Sequence, residues 1–164
     1  MSAEQDSTAE QRAKVAELVE KSRIALVTTV AEGGKLVSRP LAVQHREFDG
    51  DLWFFTEDPS PKADEIRANP QVNVSISSGK GYLSVAGTAT LTKDRAKIDE
   101  LWSSSVKPWF DGKDDPSVAL IKVDADTAEY WSLDTPRVVA AFEIAKGMVT
   151  GERPDPGKND VVDL

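Results

Sequence analysis

The sequence predicts a mainly β fold, an antiparallel barrel with a few peripheral helices, and three observations carry that reading. Short runs rich in Val, Ile, Thr and aromatics are separated by hairpin-length turns such as Glu32-Gly33-Gly34 and Asp49-Gly50. The chain, at 164 residues, is long enough for one domain with its own core but too short for repeated βαβ crossovers. No glycine-rich turn joins a first strand to a helix, as a doubly wound nucleotide-binding sheet requires.

Residues 1–8 read as a disordered tail, 9–150 as the folded domain and 151–164 as a flexible C-terminal tail. Between Ala9 and Lys21, Val15, Leu18 and Val19 recur at helical spacing with charged residues on the other faces. Ile24–Val30 reads as a strand that turns at Glu32-Gly33-Gly34 into a second one, roughly Lys35–Phe48, where Pro40 marks an edge or a bulge. Leu52–Thr56 is the third strand. Ser60 is a good N-cap for a helix over Pro61–Ala68, with proline at the first helical position and a stop before Asn69-Pro70.

Val72–Ile76 alternates apolar and polar, which predicts one buried and one solvated face. Tyr82–Thr92 is a long strand in which Gly87 marks a bulge or a close approach. Asp94–Trp102 reads as a helix and Ser103–Pro116 as a long functional or interfacial loop. Val118–Val123 and Glu129–Leu133 read as separate strands around a turn at Asp124-Ala-Asp126, and Val138–Val149 has helical spacing.

A formal net charge of −8 argues against a general nucleic-acid or membrane-surface binder, since polyanions need a basic face. The absence of cysteine removes disulfides, thiolate nucleophiles and thiolate metal sites, and the single histidine, His45, excludes a multi-histidine metal site within one chain. The polar, acidic N-terminus has no signal-peptide core, and no window has the apolar length of a membrane span, so a cytoplasmic address is expected.

The chemistry concentrates between Leu36 and Lys62. Arg39 sits mid-strand in an apolar run beside Ser38. Its planar fork suits phosphate or carboxylate, whether a ligand's or that of one of the 28 acidic residues. Lys62 falls in the first turn of the helix capped by Ser60, where unpaired amides and a cation together suit an anion; a solvated surface lysine is the plain alternative. Thr56 adds a hydroxyl, or is simply a good strand former. Trp53 and Phe55 must face opposite to Phe54, which gives this strand aromatic surface on both sides, one of them core and the other needing a ligand or another subunit. Trp102, Trp109, Phe110 and Trp131 are core packing or, for Trp109-Phe110, a lid or dimer contact. No catalytic triad or carboxylate pair stands out, so a cofactor carries any redox chemistry.

The motifs Ser38-Arg-Pro40, Phe48-Asp-Gly-Asp-Leu-Trp-Phe-Phe-Thr56, Lys62, Val72-Asn-Val74, Ser84-Val-Ala-Gly-Thr-Ala89, Asp94-Arg-Ala-Lys97, Leu101-Trp102 and Glu129-Tyr-Trp131 occur in that order. In this respect the chain, from about Val15 to Val149, resembles the bacterial general stress family of FMN-binding split barrels, within the pyridoxamine 5′-phosphate oxidase-like superfamily. The resemblance implies a six-stranded Greek-key split barrel that forms a homodimer, with FMN in each of two clefts between subunits. By position, Arg39 and Lys62 would grip the FMN phosphate, joined by Ser38 and Thr56. The backbone around Pro40, Leu41, Ala42, Val43 and Phe55 would line the ring and ribityl chain, and Trp109 and Trp131 of the second copy would close the cleft.

The implied activity is a flavin-dependent oxidoreductase fed by NADH or NADPH, or else a non-catalytic flavin-binding, redox-buffering stress protein. The chain departs from the oxidases that act on pyridoxamine phosphate. It has Thr135-Pro-Arg-Val138 where they resemble one another in an Arg-Leu-x-Pro motif, and Pro61 where they carry a second basic residue ahead of Lys62. That chemistry is therefore not expected.

Overall fold

In the computed structural model, residues 3–44, 47–132, 148 and 159–164 are described. Helix α1 (Ala3–Glu20) leads into strands β1 (Ile24–Val30), β2 (Leu36–Ala42) and β3 (Asp51–Glu57). Helix α2 (Pro61–Ala68), strands β4 (Gln71–Ser78) and β5 (Gly81–Thr92), helix α3 (Arg95–Leu101) and strands β6 (Val118–Ser132) and β7 (Asn159–Asp163) follow. Every pairing is antiparallel, in the order β2-β1-β4-β5-β6-β3, with β7 also on β6. The two ends of that order meet where the Gln44 amide donates to the Trp53 carbonyl at 3.3 Å, so the sheet curls into a barrel. The mainly antiparallel β class with peripheral helices is as expected, with seven strands among the described residues against the expected six.

Alternation along each strand builds the core. Val72, Val74 and Ile76 on β4, Leu83 and Val85 on β5, and Leu52 and Phe54 on β3 point inward, and α1 lays Val15, Leu18 and Val19 onto them. Burying such side chains is worth about 1.5–3 kcal/mol each, which makes the inward face of every strand the dominant constraint on register. A second cluster lies on the other side of β3, where Ile98 and Leu101 of α3 meet Val118 and Leu120 of β6.

Local signals place α2 as expected, with Ser60 Oγ accepting from the Ala63 amide at 3.3 Å and Pro61 at the start. Four expectations need correction. Helix α1 begins at Ala3 rather than Ala9: Ala3, Glu4 and Gln5 are good helix formers, and the weaker Asp6, Ser7 and Thr8 between them and Ala9 do not interrupt it. Strand β2 ends at Ala42, well short of Phe48. Asp124-Ala-Asp126 is no turn: β6 runs through it as a single strand, and its ladder with β5 slips at Ala86/Gly87, so that Asp126 is the extra residue of a bulge. The end of the expected C-terminal tail is the strand β7, held because Val162 is buried in the core and the Leu164 amide donates to the Asp126 carbonyl. His45, the Thr135-Pro-Arg-Val138 motif and, apart from Met148, the expected helix Val138–Val149 lie outside the described residues.

The bulge explains Gly87. A Cβ there would collide with the Asp124 carbonyl oxygen and sit 2.9 Å from Val123 Cγ1. Gly87→Ala is therefore expected to cost about 1–3 kcal/mol as overpacking, read from the urea unfolding midpoint. Gly79→Ala, whose added methyl meets nothing within 4 Å, should leave that midpoint nearly unchanged.

Candidate functional site

Strands β2 and β3 are the two ends of the strand order, and beyond the Gln44–Trp53 bond no ladder joins them. The barrel is split there, and the polar side chains on the inward faces of the two strands are Arg39 on β2 and Thr56 on β3. Helix α2 starts directly after β3, which brings Lys62 and Glu65, three residues apart on one helix face, to the same place.

Arg39 does have an acidic partner. Its Nη1 donates to Glu65 Oε2 at 2.8 Å and to Thr29 Oγ1 at 2.9 Å, and its Nη2 donates to Glu65 Oε1 at 2.9 Å. The Thr29 hydroxyl in turn donates to Glu65 Oε2 at 2.6 Å. The Arg39 and Thr29 hydrogen bonds hold the Glu65 carboxyl below its ordinary value of 4.5, with burial opposing them. The ion pair foreseen as the alternative for Arg39 is thus present, and it uses only part of the guanidinium.

Lys62 is in a different situation. Its ammonium donates to the Thr56 hydroxyl at 2.8 Å and has no carboxylate within ion-pair distance among the described residues. Burial, and next the neighbouring charge of Arg39, push the Lys62 pKa below the ordinary 10.5, while Glu57 pulls the other way. A half-buried cation beside another cation is an electrostatic deficit that an anion relieves. The first turn of α2 contributes less than its position promised. Pro61 has no amide proton, Ala63 and Asp64 are bonded to Ser60, and only the Lys62 amide has no partner among the described residues.

The remaining expected residues separate by strand geometry. Ser38 lies on the opposite face of β2 from Arg39, with its hydroxyl 2.7 Å from that of Thr28. Pro40 and Ala42 share that outward face, whereas Leu41 packs on the core and Val43 is buried, its amide bonded to the Arg23 carbonyl. The outer side of Phe55 is covered by this chain's own residues: its ring lies 5.8 Å from that of Trp102, edge-on, and 6.3 Å from that of Phe110. Phe110 is therefore part of the second cluster, while Trp109 beside it is 75% exposed. Trp131 stands on the outer face of the sheet next to Tyr82, at the opposite end of β6 from Ala119, the cross-strand partner of Thr56.

Sequence reasoning missed Thr29 and Glu65. The only local signal for Glu65 was its place on the same helix face as Lys62. Thr29 gave none, since a strand threonine is ordinary. Elsewhere, the shallow dent lined by Val19, Gln44, Phe48 and Trp53 encloses about 10 Å³, room for no more than a water.

A sequence model of the family described as pyridoxamine 5′-phosphate oxidase like matches residues 10–155. The chain is 31% identical over 140 residues to protein bli-3 of Neurospora crassa, a match spanning 77% of this chain and 66%, just under two thirds, of that protein. It is 31% identical over 119 residues to general stress protein 26 of Bacillus subtilis, covering 69% of this chain and 82% of the relative. Among solved structures, the general stress FMN/FAD binding protein of Xanthomonas citri superposes with a TM-score of 0.70 at 28% identity, over 79% of this chain and 93% of that one.

Because the folded-state pKa of Glu65 is depressed, its contribution to stability is complete above the ordinary 4.5 and is lost as the pH falls through the lower folded value. The urea midpoint of the parent protein should therefore exceed that of Glu65→Gln at neutral pH, and the gap should close on acidification below that ordinary value. A gap that is constant with pH would show that the carboxylate charge plays no part.

Proposed function

The chain belongs to the pyridoxamine 5′-phosphate oxidase-like family, and we propose that it is a flavin-binding protein of the general stress type that holds FMN by its phosphate at Lys62 and Arg39. The observation that carries this reading is the under-compensated cation pair at the mouth of the split: one carboxylate, Glu65, is bonded to Arg39, and the half-buried Lys62 beside it is bonded to none among the described residues. A phosphate placed there relieves the charge deficit of Lys62, and its oxygens match the N–H bonds of Arg39 that Glu65 and Thr29 leave open. Thr56 orients the ammonium. The unpaired edge of β2 offers backbone groups to a flat ring lying in the split, except at Pro40, which has no amide proton. The Xanthomonas citri neighbour described as FMN/FAD binding supports the choice of a flavin.

When bound, FMN would supply the redox chemistry, with NADH or NADPH as the proposed electron donor. The protein's part is to anchor the phosphate, align the ring along the β2 edge and restrict access to it. These roles suit a flavin-dependent oxidoreductase. A protein that binds FMN yet consumes neither nicotinamide with any added electron acceptor would instead be a flavin store.

The cleft is completed by a second copy. The cross-sheet row Pro40, Leu26, Ser75, Ser84, Glu129 and Val161 shares one outward face, as register requires. Ile24, Leu26, Leu36, Tyr82, Trp131 and Val161 are exposed on that face, with Leu36 at 69%. A face this apolar, spread across strands rather than confined to one, suits a self-complementary dimer. Trp109 and Trp131 have no contact with the Arg39–Lys62 group within the chain among the described residues. They act on the flavin from the partner.

Arg39→Ala and Lys62→Ala should each weaken FMN binding by about 1.5–3 kcal/mol, read by flavin fluorescence quenching, and full affinity in both would reject the site. Leu26→Arg should convert a dimer of twice the 17.8 kDa chain mass into a monomer in sedimentation equilibrium, with loss of FMN affinity. A parent protein that is monomeric with flavin bound would reject the shared cleft.

A further inference from the structure

We propose that Glu65 and Thr29 are positioning residues: they clamp one edge of the Arg39 guanidinium so that its other edge faces the phosphate. This rests on the flavin reading above and deepens it by assigning the phosphate specificity of the site to residues that do not touch the ligand.

The geometry of the clamp is closed. Arg39 Nη1 gives its two hydrogens to Glu65 Oε2 and Thr29 Oγ1, Nη2 gives one to Glu65 Oε1, and the Thr29 hydroxyl ties back to Glu65 Oε2. Left without partners among the described residues are the Nε–H and the second Nη2 hydrogen. They lie on one side of the planar group and match a pair of phosphate oxygens. Three elements meet in this contact: Thr29 from β1, Arg39 from β2 and Glu65 from α2. The side chains of Arg39 and Glu65 are 27% and 15% exposed, so the pair is largely sheltered from water. A free arginine side chain loses rotamer entropy when a ligand orders it, and ordering it in advance removes that cost from ligand binding.

The hydrogen bonds themselves fix the orientation of the clamp: Glu65 and Thr29 take up the Nη1 side and the end of the guanidinium, and the edge carrying Nε–H and the second Nη2 hydrogen is left open. An incoming phosphate meets Arg39 on the side away from Glu65 and need not displace it. Displacement would leave a sheltered carboxylate without its cation, which is costly.

The test titrates the full chain with FMN and with riboflavin, which lacks the phosphate, and follows the preference for FMN as the ratio of the two dissociation constants. Glu65→Gln keeps the side-chain shape but loses the charge and one acceptor of the two-pronged contact. The preference for FMN should fall about tenfold, with riboflavin affinity unchanged. In the Arg39→Ala background the same substitution should have no further effect on that preference, because Glu65 acts through Arg39. A preference that is unchanged or stronger in Glu65→Gln overturns the proposal, the latter outcome marking Glu65 as a competitor for Arg39. Should Glu65→Gln fail to fold, Thr29→Val removes only the hydroxyl and should lower the preference several-fold; no change there overturns the proposal equally. A parent protein with no preference for FMN over riboflavin rejects the phosphate site itself and this proposal with it. A parent with that preference, undisturbed by Glu65→Gln, rejects the positioning role alone.

Discussion

Strand β6 is the constraint on which the structure depends, because both of its edges are in use. One edge carries β5 along most of its length; the other carries β3 near its start and β7 near its end. A strand so placed must be apolar on both faces where β3 crosses it: the run Val118–Ile121 is buried throughout, with Ile121 in the barrel core and Val118 and Leu120 in the second cluster. That run places β3 at the end of the sheet, opposite β2, and so creates the split. The bulge at Asp126 lets β6 bend between its two partners, and it is possible only because Gly87 on β5 has no side chain to obstruct the Asp124 carbonyl.

Charge is managed in the same economical way. The protein is acidic overall, and the ion pairs in its described part mostly tie exposed lysines and arginines to nearby carboxylates, as in Arg67–Asp58, Lys113–Asp99 and Lys122–Asp124. Such exposed pairs contribute little to stability. The split is the exception in quality. There a two-pronged, sheltered Arg39–Glu65 contact joins helix α2 to the sheet, and beside it Lys62 is left, among the described residues, with only a hydroxyl. Holding an unmatched cation costs stability, and an anion at the mouth of the open seam would offset that cost.

Aromatic residues divide between two jobs. Trp53 and Phe55 lie on the side of β3 that faces α3, where Trp102 and Phe110 form a ring cluster and Lys97 sits 4.8 Å from the Trp53 ring centre. This cluster, rather than a ligand, covers the second aromatic face of β3. Tyr82, Trp109 and Trp131 are left outside it and remain exposed, which makes them the aromatic surface available to another molecule.

Much of this was legible in the sequence wherever the cause is local. The bounds of α2 follow from Ser60, Pro61 and the Asn69-Pro70 stop; the inward face of β4 follows from alternation; the need for a glycine at position 87 follows from its place mid-strand. Arg39, Thr56 and Lys62 were legible as a cationic group with a hydroxyl because three residue types that suit an anion lie within one short stretch. What only the tertiary structure decided depends on partners distant in the chain. Which of 28 carboxylates would hold Arg39, whether Ser38 or Thr29 would share its face, whether Phe55 would be covered by a ligand or by Trp102, and whether Asp124–Asp126 would turn or bulge are all settled by contacts between separate elements. Local pattern sets how a segment folds and which way its side chains alternate. It carries no information about which neighbour packing will bring against them.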